Sequence, residues 1–349
     1  MVVEPESLCW ITGRMAGSRD GATWAREFAR LPGLRAVVRD DGAGLGKGVK
    51  LDNARRRDAG LAEFVQTLDV FHTLREGGRA LRASWGVAAR ALDRAEFAQK
   101  GLERRGRRGE SRTGFTTQAD RLWRLAERAW DQANAAEAAW ARAKSAFELF
   151  TPEGRLNDRA HAEAVVTAAL PDLNGAAWAK ARRLPMRRES FTFLDQIEER
   201  LAGLGLAPDV LSALLDLEGL RRQPGRLSAA TRAWALARKV QLNKSFPGWP
   251  EQAVRVREVL RGAWRASSLV ECINSVARMQ QARHRRMTQG LLDLKRLYWN
   301  LRRFRTGRRK GKAPYELLGL RLPEMSFGEF LKLSPDELRE QLSAQSVAP

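Results

Sequence analysis

Residues 267–320 read SSLVECINSVARMQQARHRRMTQGLLDLKRLYWNLRRFRTGRRKGKAPYELLGL. Ser268, Leu269, Val270 and Glu271 fit the S-x-x-E capping box, so the simplest role for Glu271 is a reciprocal cap at the start of a helix. At about 100° per residue, Glu271, Asn274 and Arg278 share one face of that helix, and Leu269, Ile273 and Val276 share the other. A polar stripe therefore accompanies the carboxylate.

The segment then turns basic. Between Arg278 and Lys312 stand thirteen cations, Arg278, Arg283, Arg285, Arg286, Lys295, Arg296, Arg302, Arg303, Arg305, Arg308, Arg309, Lys310 and Lys312, against the single acid Asp293. Tyr298, Trp299 and Phe304 are interleaved with them. Cations neutralise phosphates with release of counterions, and aromatic faces stack on bases, so this composition suits nucleic acid. The alternative is a helix that buries Leu291, Leu294 and Leu297 beneath a merely soluble surface.

Together, SSLVECINS, QARHRRMTQGLLDLKRLYWNLRRF and GKAPYELLGL resemble the C-terminal part of bacterial DDE-type transposases, in which the last catalytic acid opens a helix. The resemblance implies an α/β fold, a ribonuclease H-like catalytic core interrupted by a large all-α insertion domain.

The upstream chain supplies the order this requires. A strand is expected within Ser7–Ala16, a helix through Trp24, Phe28 and Leu31, and a second strand over Leu34–Arg39 that delivers Asp40 and Asp41 at its carboxyl end. GAGLGKG follows, but neither the P-loop nor the dinucleotide pattern fits, and a plain turn is the ordinary reading. Residues 64–73, FVQTLDVFHT, read as a third strand containing Asp69 and His72 in a D-x-x-H, where a structural histidine is the common alternative.

The resemblance assigns catalysis and metal ligation to Asp40 and Glu271, with Asp41 the runner-up to Asp40 and otherwise supporting, and supporting places to Asp69 and His72; Asn274, on the helix face of Glu271, is a further supporting candidate. It implies Mg²⁺ or Mn²⁺ as cofactor, DNA strand cleavage and strand transfer as chemistry, and transposon ends and target DNA as partners, with room for a homodimer on the DNA. Asp40 and Glu271 are then expected within about 8 Å of each other, around two ions.

The expected division is residues 1–75 and 256–320 for the two parts of the core, 76–255 for the helical insertion and 321–349 for a helical tail. Within the insertion, a helix over 117–150 and shorter ones over 158–170, 174–183, 190–203, 208–222 and 228–242 are separated by turn signals and prolines. Residues 100–112 are expected to form a basic loop. Seven of the eleven tryptophans lie between Trp85 and Trp249, where core packing is their ordinary role.

Composition narrows the classes. A formal net charge of +21 attracts polyanions, and nucleic acid leads among them. No apolar run approaches the length of a membrane span and no secretory leader is evident, so a cytoplasmic protein away from membranes is expected. Two cysteines and three histidines exclude a disulfide framework and a zinc cluster of recognisable spacing, which leaves carboxylates for metal.

A first catalytic aspartate would be expected on a strand ahead of Ser7, yet MVVEPE contains none, and Asp20 sits in a turn. The expectation is an N-terminally truncated, inactive copy, or a translation start further upstream. The rival class is a noncatalytic DNA-binding protein that uses the same basic surfaces, and an RNA-binding scaffold is a third.

Overall fold

The computed structural model describes residues 1–222, 228–265, 270, 273–275, 287–334 and 336–338. The chain is mostly helical, with small sheets, and divides into two compact units. One unit comprises residues 1–31, 43–52 and 267–349, and the other residues 32–42 and 53–266.

In the first unit, β1 (Val2–Val3) and β2 (Trp10–Thr12) pair antiparallel. The strand expected over Ser7–Ala16 is thus only three residues long. Its edge is satisfied by side chains of a helix near the other end of the sequence, Gln289–Leu301. Asn300 accepts from Trp10 N at 2.9 Å and donates to Trp10 O at 3.0 Å, Arg296 donates to Ile11 O at 2.8 Å, and Gln289 donates to Gly13 O at 3.0 Å. Trp299 adds a bond from Nε1 to Leu8 O at 2.9 Å. Unpaired backbone groups beside a core must find partners, and here amide, guanidinium and indole groups provide them. Below them, Trp10, Ile273, Leu292 and Trp299 form the buried cluster of the unit.

Helix α1 (Gly21–Ala29) is capped by Asp20, whose carboxylate accepts from Thr23 N at 2.8 Å and is held below its ordinary pKa by hydrogen bonds. Helix α2 runs over Ala43–Asp58. The glycine run expected as a turn is therefore the first part of a helix. The reason is close approach: a Cβ on Gly44 would collide with Arg19 O, and one on Gly48 would collide with the Cβ of Trp24. Glycine lets the backbones meet there. Gly44→Ala should cost about 1–3 kcal/mol through overpacking, read as a lower urea midpoint, whereas Gly33→Ala, in open space, should be near neutral.

In the second unit, β3 (Ala36–Arg39) and β4 (Val65–Leu68) pair in parallel, with Ala36 opposite Val65 and Arg39 opposite Leu68. The third strand, expected to continue through His72, ends instead at Leu68, because Asp69 caps α3 (Val70–Arg107). That helix is 38 residues long, about 57 Å at about 1.5 Å per residue. It absorbs the first part of the stretch expected as a basic loop, leaving a short turn before α4 (Phe115–Ser145).

The two long helices pack along their alanine stripes, and Trp140 and Trp178 complete that core with Ala80, Ala139, Ala143 and Leu173. Gly77 is required beside them, since a Cβ there would run into the Trp140 ring. The remaining helices are α5 (Arg159–Ala169), α6 (Ala179–Arg183), α7 (Thr192–Ala202), α8 (Pro208–Arg222), α9 (Ala229–Ser245) and α10 (Trp249–Arg261). Ala181 of α6 joins the Trp140 and Trp178 core, and the other five contribute to a second core around Phe147, Phe191, Ile197, Leu214 and Val256.

Back in the first unit, α11 is the helix Gln289–Leu301 already described, followed by α12 (Pro314–Leu317) and α13 (Phe327–Phe330). No helix among the described residues is long and apolar enough to cross a membrane.

Candidate active site and nucleic-acid interface

Parallel pairing of β3 and β4 brings two acidic segments to neighbouring carboxyl ends. The register continues one step past the strands, where Asp69 N donates to Arg39 O at 2.7 Å. Asp40 follows Arg39 directly, so Asp40 and Asp69 leave adjacent strands at the same end.

Their environments differ. Asp40 is exposed, and its Oδ1 accepts from Gly42 N at 2.9 Å. Asp41 is clamped: Arg183 donates to its Oδ2 at 2.5 Å, and Arg187 Nη1 lies 2.6 Å from its Oδ1 as an ion pair without hydrogen-bond alignment. Two guanidiniums already offset that carboxylate, so a metal ion would have to displace them. Asp40 is the more available oxygen donor of the pair.

Arg39 supports this corner from below. It is 4% exposed, donates from Nη1 to Asp40 O at 2.9 Å and from Nε to Gln66 at 3.0 Å, and pairs with Glu189 at 3.5 Å. Burial lowers its pKa, with Glu189 opposing the shift. A buried arginine at a strand end has no reliable sequence signal, and neither do the arginines that reach Asp41 from 142 and 146 residues downstream.

Asp69 is buried and spends both carboxylate oxygens on the start of α3. Oδ1 accepts from His72 N at 3.1 Å, and Oδ2 lies 2.8 Å from His72 Nδ1. Thr73 Oγ1 donates back to Asp69 O at 3.1 Å. The D-x-x-H here is a helix N-cap reinforced by the imidazole, which fixes where the chain turns from strand to helix.

Glu271 lies outside the described residues, and with it the expected metal site shared with Asp40. Asn274 is half-buried beside Ile273, which joins the Trp10 cluster. Among the described residues, no group of three or more histidine, cysteine, aspartate or glutamate side chains is placed to hold a metal ion.

The basic segment is described from residue 287 onward, so Arg278, Arg283, Arg285 and Arg286 also lie outside it. After α11 the chain folds into a compact loop. Phe304 N donates to Lys312 O at 3.0 Å, Gly311 N donates to Phe304 O at 2.9 Å, and Lys310 N donates to Gly307 O at 3.0 Å. Gly307 and Gly311, with φ of 78° and 82°, make the reversals that other residues would strain to adopt.

The cations of this segment separate into two sets. Arg296 and Arg309 are structural, since Arg309 donates to Glu6 O at 2.7 Å and Pro5 O at 2.9 Å, and burial lowers its pKa. Arg303 pairs with Glu316 at 2.7 Å, and Lys295 is half-buried on α11. Arg302 lies 5.0 Å from the ring centroid of Trp299. Arg305, Arg308, Lys310 and Lys312 are exposed on the compact loop. Those four present a concentrated positive charge to solvent on a hydrogen-bonded frame.

No family model, curated protein or solved structure matches this chain.

Proposed function

We propose that the chain is a DNA-acting protein of the DDE transposase type, with β3 and β4 as part of a ribonuclease H-like core and the long helical stretch as its insertion. The observation that carries this reading is the parallel β3–β4 pair, which presents Asp40 and the D-x-x-H at neighbouring strand ends ahead of that stretch. In open α/β sheets, chemistry gathers at the carboxyl ends of parallel strands.

In this reading Asp40 and Glu271 hold Mg²⁺ or Mn²⁺. The exposed Asp40 carboxylate, with a single backbone donor at Oδ1, suits a hard cation better than the clamped Asp41 or the capping Asp69. Such ions activate a water or a DNA 3′-hydroxyl and stabilise charge at a scissile phosphate. Arg39 fixes the backbone that carries Asp40, and Arg183 and Arg187 keep Asp41 turned away from that role. Arg305, Arg308, Lys310 and Lys312 hold the phosphate backbone without reading sequence.

A second reading, noncatalytic DNA binding, is favoured by those same exposed loop cations, which need no metal to work. Purified chain, duplex DNA and Mg²⁺ or Mn²⁺ separate the two. Metal-dependent nicking that disappears in Asp40→Asn and in Glu271→Gln is the result expected of the catalytic reading. Tight binding without nicking in either metal removes the catalytic reading for this chain, as the noncatalytic reading and the expectation of an inactive copy both require. Nicking that survives Asp40→Asn removes the site, preference for RNA over duplex selects an RNA scaffold, and no affinity at low salt overturns all three.

A further inference from the structure

The turn between α3 and α4 carries a second concentration of charge that the site above does not use. Residues 104–112 read RRGRRGESR, five arginines against Glu110. Gly109, with a φ of 68°, and Gly114, with a φ of 80°, make the reversal. Gly106 leaves room for the Arg112 guanidinium, which packs where a side chain would otherwise stand. Arg104, Arg107, Arg108 and Arg112 are all exposed.

Beside this turn lies an apolar notch between the two helices. Phe97, Ala98 and Gly101 line it from α3, and Phe115 and Leu122 from α4, around a volume of about 470 Å³. Phe97 is 78% exposed, the highest value for a large apolar side chain among the described residues. The Arg105 guanidinium lies 3.8 Å from the centroid of the Phe115 ring, so one wall already stacks a planar cation.

A solvated helix end explains charge, but not a bare phenylalanine in the midst of it. Water penalises that ring, whereas a partner offering both phosphates and flat apolar faces satisfies ring and arginines together. An acidic protein surface would answer the charge but has no need of stacking planes. Resting on the nucleic-acid reading above, we propose that the tip of the α3–α4 hairpin is a separate nucleic-acid contact. There Arg104, Arg107, Arg108 and Arg112 hold backbone phosphates, and Phe97 with Phe115 receives an unpaired base. The contact suits a single strand, or a duplex opened at an end, since a paired and stacked base cannot enter the notch.

The test compares three full-length proteins: the parent, Phe97→Ala, and the Gln variant at Arg104, Arg107, Arg108 and Arg112. Binding of single-stranded, blunt-duplex and frayed-end oligonucleotides, in DNA and RNA forms, is read by fluorescence anisotropy across a salt series. Phe97→Ala removes an exposed side chain and should leave the circular dichroism melt unchanged. It should weaken single-strand and frayed-end binding about tenfold while sparing blunt duplex, the size expected when one base loses its stacking partner. The Gln variant should weaken all ligands and reduce the log-log salt slope, by roughly 0.7–0.9 for each phosphate no longer neutralised.

A parent that binds while both variants bind equally well overturns the tip contact and leaves the wider DNA reading standing. A parent that binds no nucleic acid at low salt fails that wider reading itself. If Phe97→Ala changes the sedimentation of the protein and not its nucleic-acid affinity, the notch is a protein interface and the proposal is wrong.

Discussion

Replacing Arg305, Arg308, Lys310 and Lys312 together by glutamine should weaken nonspecific duplex binding about 10²–10⁴-fold at low salt, and lower the log-log salt slope by as much as about 3.6, at about 0.9 for each phosphate no longer neutralised. The four side chains are exposed on a loop whose shape is fixed by backbone hydrogen bonds and two left-handed glycines. The substitution therefore removes charge without removing the frame. A melt within a degree or two of the parent would confirm that the fold is intact.

Arg309 provides the contrast from the same loop. Its guanidinium is committed to the carbonyls of Pro5 and Glu6, so Arg309→Gln should lower the thermal midpoint and barely alter the slope. An unchanged slope in the fourfold variant would place the bound DNA elsewhere on the chain.

The largest loss of stability is expected for Trp178→Ala, about 3–5 kcal/mol. Trp178 is 1% exposed, packs 5.9 Å from the Trp140 ring, and donates from Nε1 to Ser84 Oγ at 2.9 Å. Most of its neighbours in this cluster are alanines, Ala80, Ala136, Ala139, Ala143, Ala169 and Ala181, whose side chains have no torsion with which to fill a void. The hole therefore persists, and the cost belongs at the upper end of the range. Urea unfolding followed by far-ultraviolet circular dichroism measures it. A loss below about 1 kcal/mol would mean that α3 and α4 close over the gap.

Much of the helical stretch is legible in the sequence because its boundaries are written in local chemistry. Pro208 opens α8 where the sequence predicts a helix start, and the helix is described as far as Arg222. Ala126 and Ala133 are buried in α4, although Trp130, one of the tryptophans whose ordinary role is core packing, is half exposed and sits edge-on to Trp85. Tryptophan is large enough to cover a neighbour and still face water.

The misreadings share a cause, tertiary contact overriding local preference. Val70, Phe71 and Thr73 have strand-like side chains, but the buried Asp69 carboxylate accepts the His72 N–H and commits them to a helix. GAGLGKG has turn composition, but α1 presses close enough that glycine is needed inside a helix. The candidate site was legible as strand-end acids and a basic run. That Asp41 answers to Arg183 and Arg187, and that Arg296 and Arg309 serve the chain's own backbone, depends on residues far away in sequence.

The hydrogen bonds between Asn300 and Trp10 set a timetable for synthesis. The strand at residues 10–12 emerges early, yet the amide that closes its edge is made 290 residues later. At roughly 5–20 residues per second, that interval is about 15–60 s on the ribosome. During it the segment with Trp10 has neither its edge partners nor the Leu292 and Trp299 side chains that bury it. The first unit therefore completes late, from segments far apart in the chain. A nascent chain arrested before residue 289 should leave its first 30 residues open to protease while α3 and α4 are already protected.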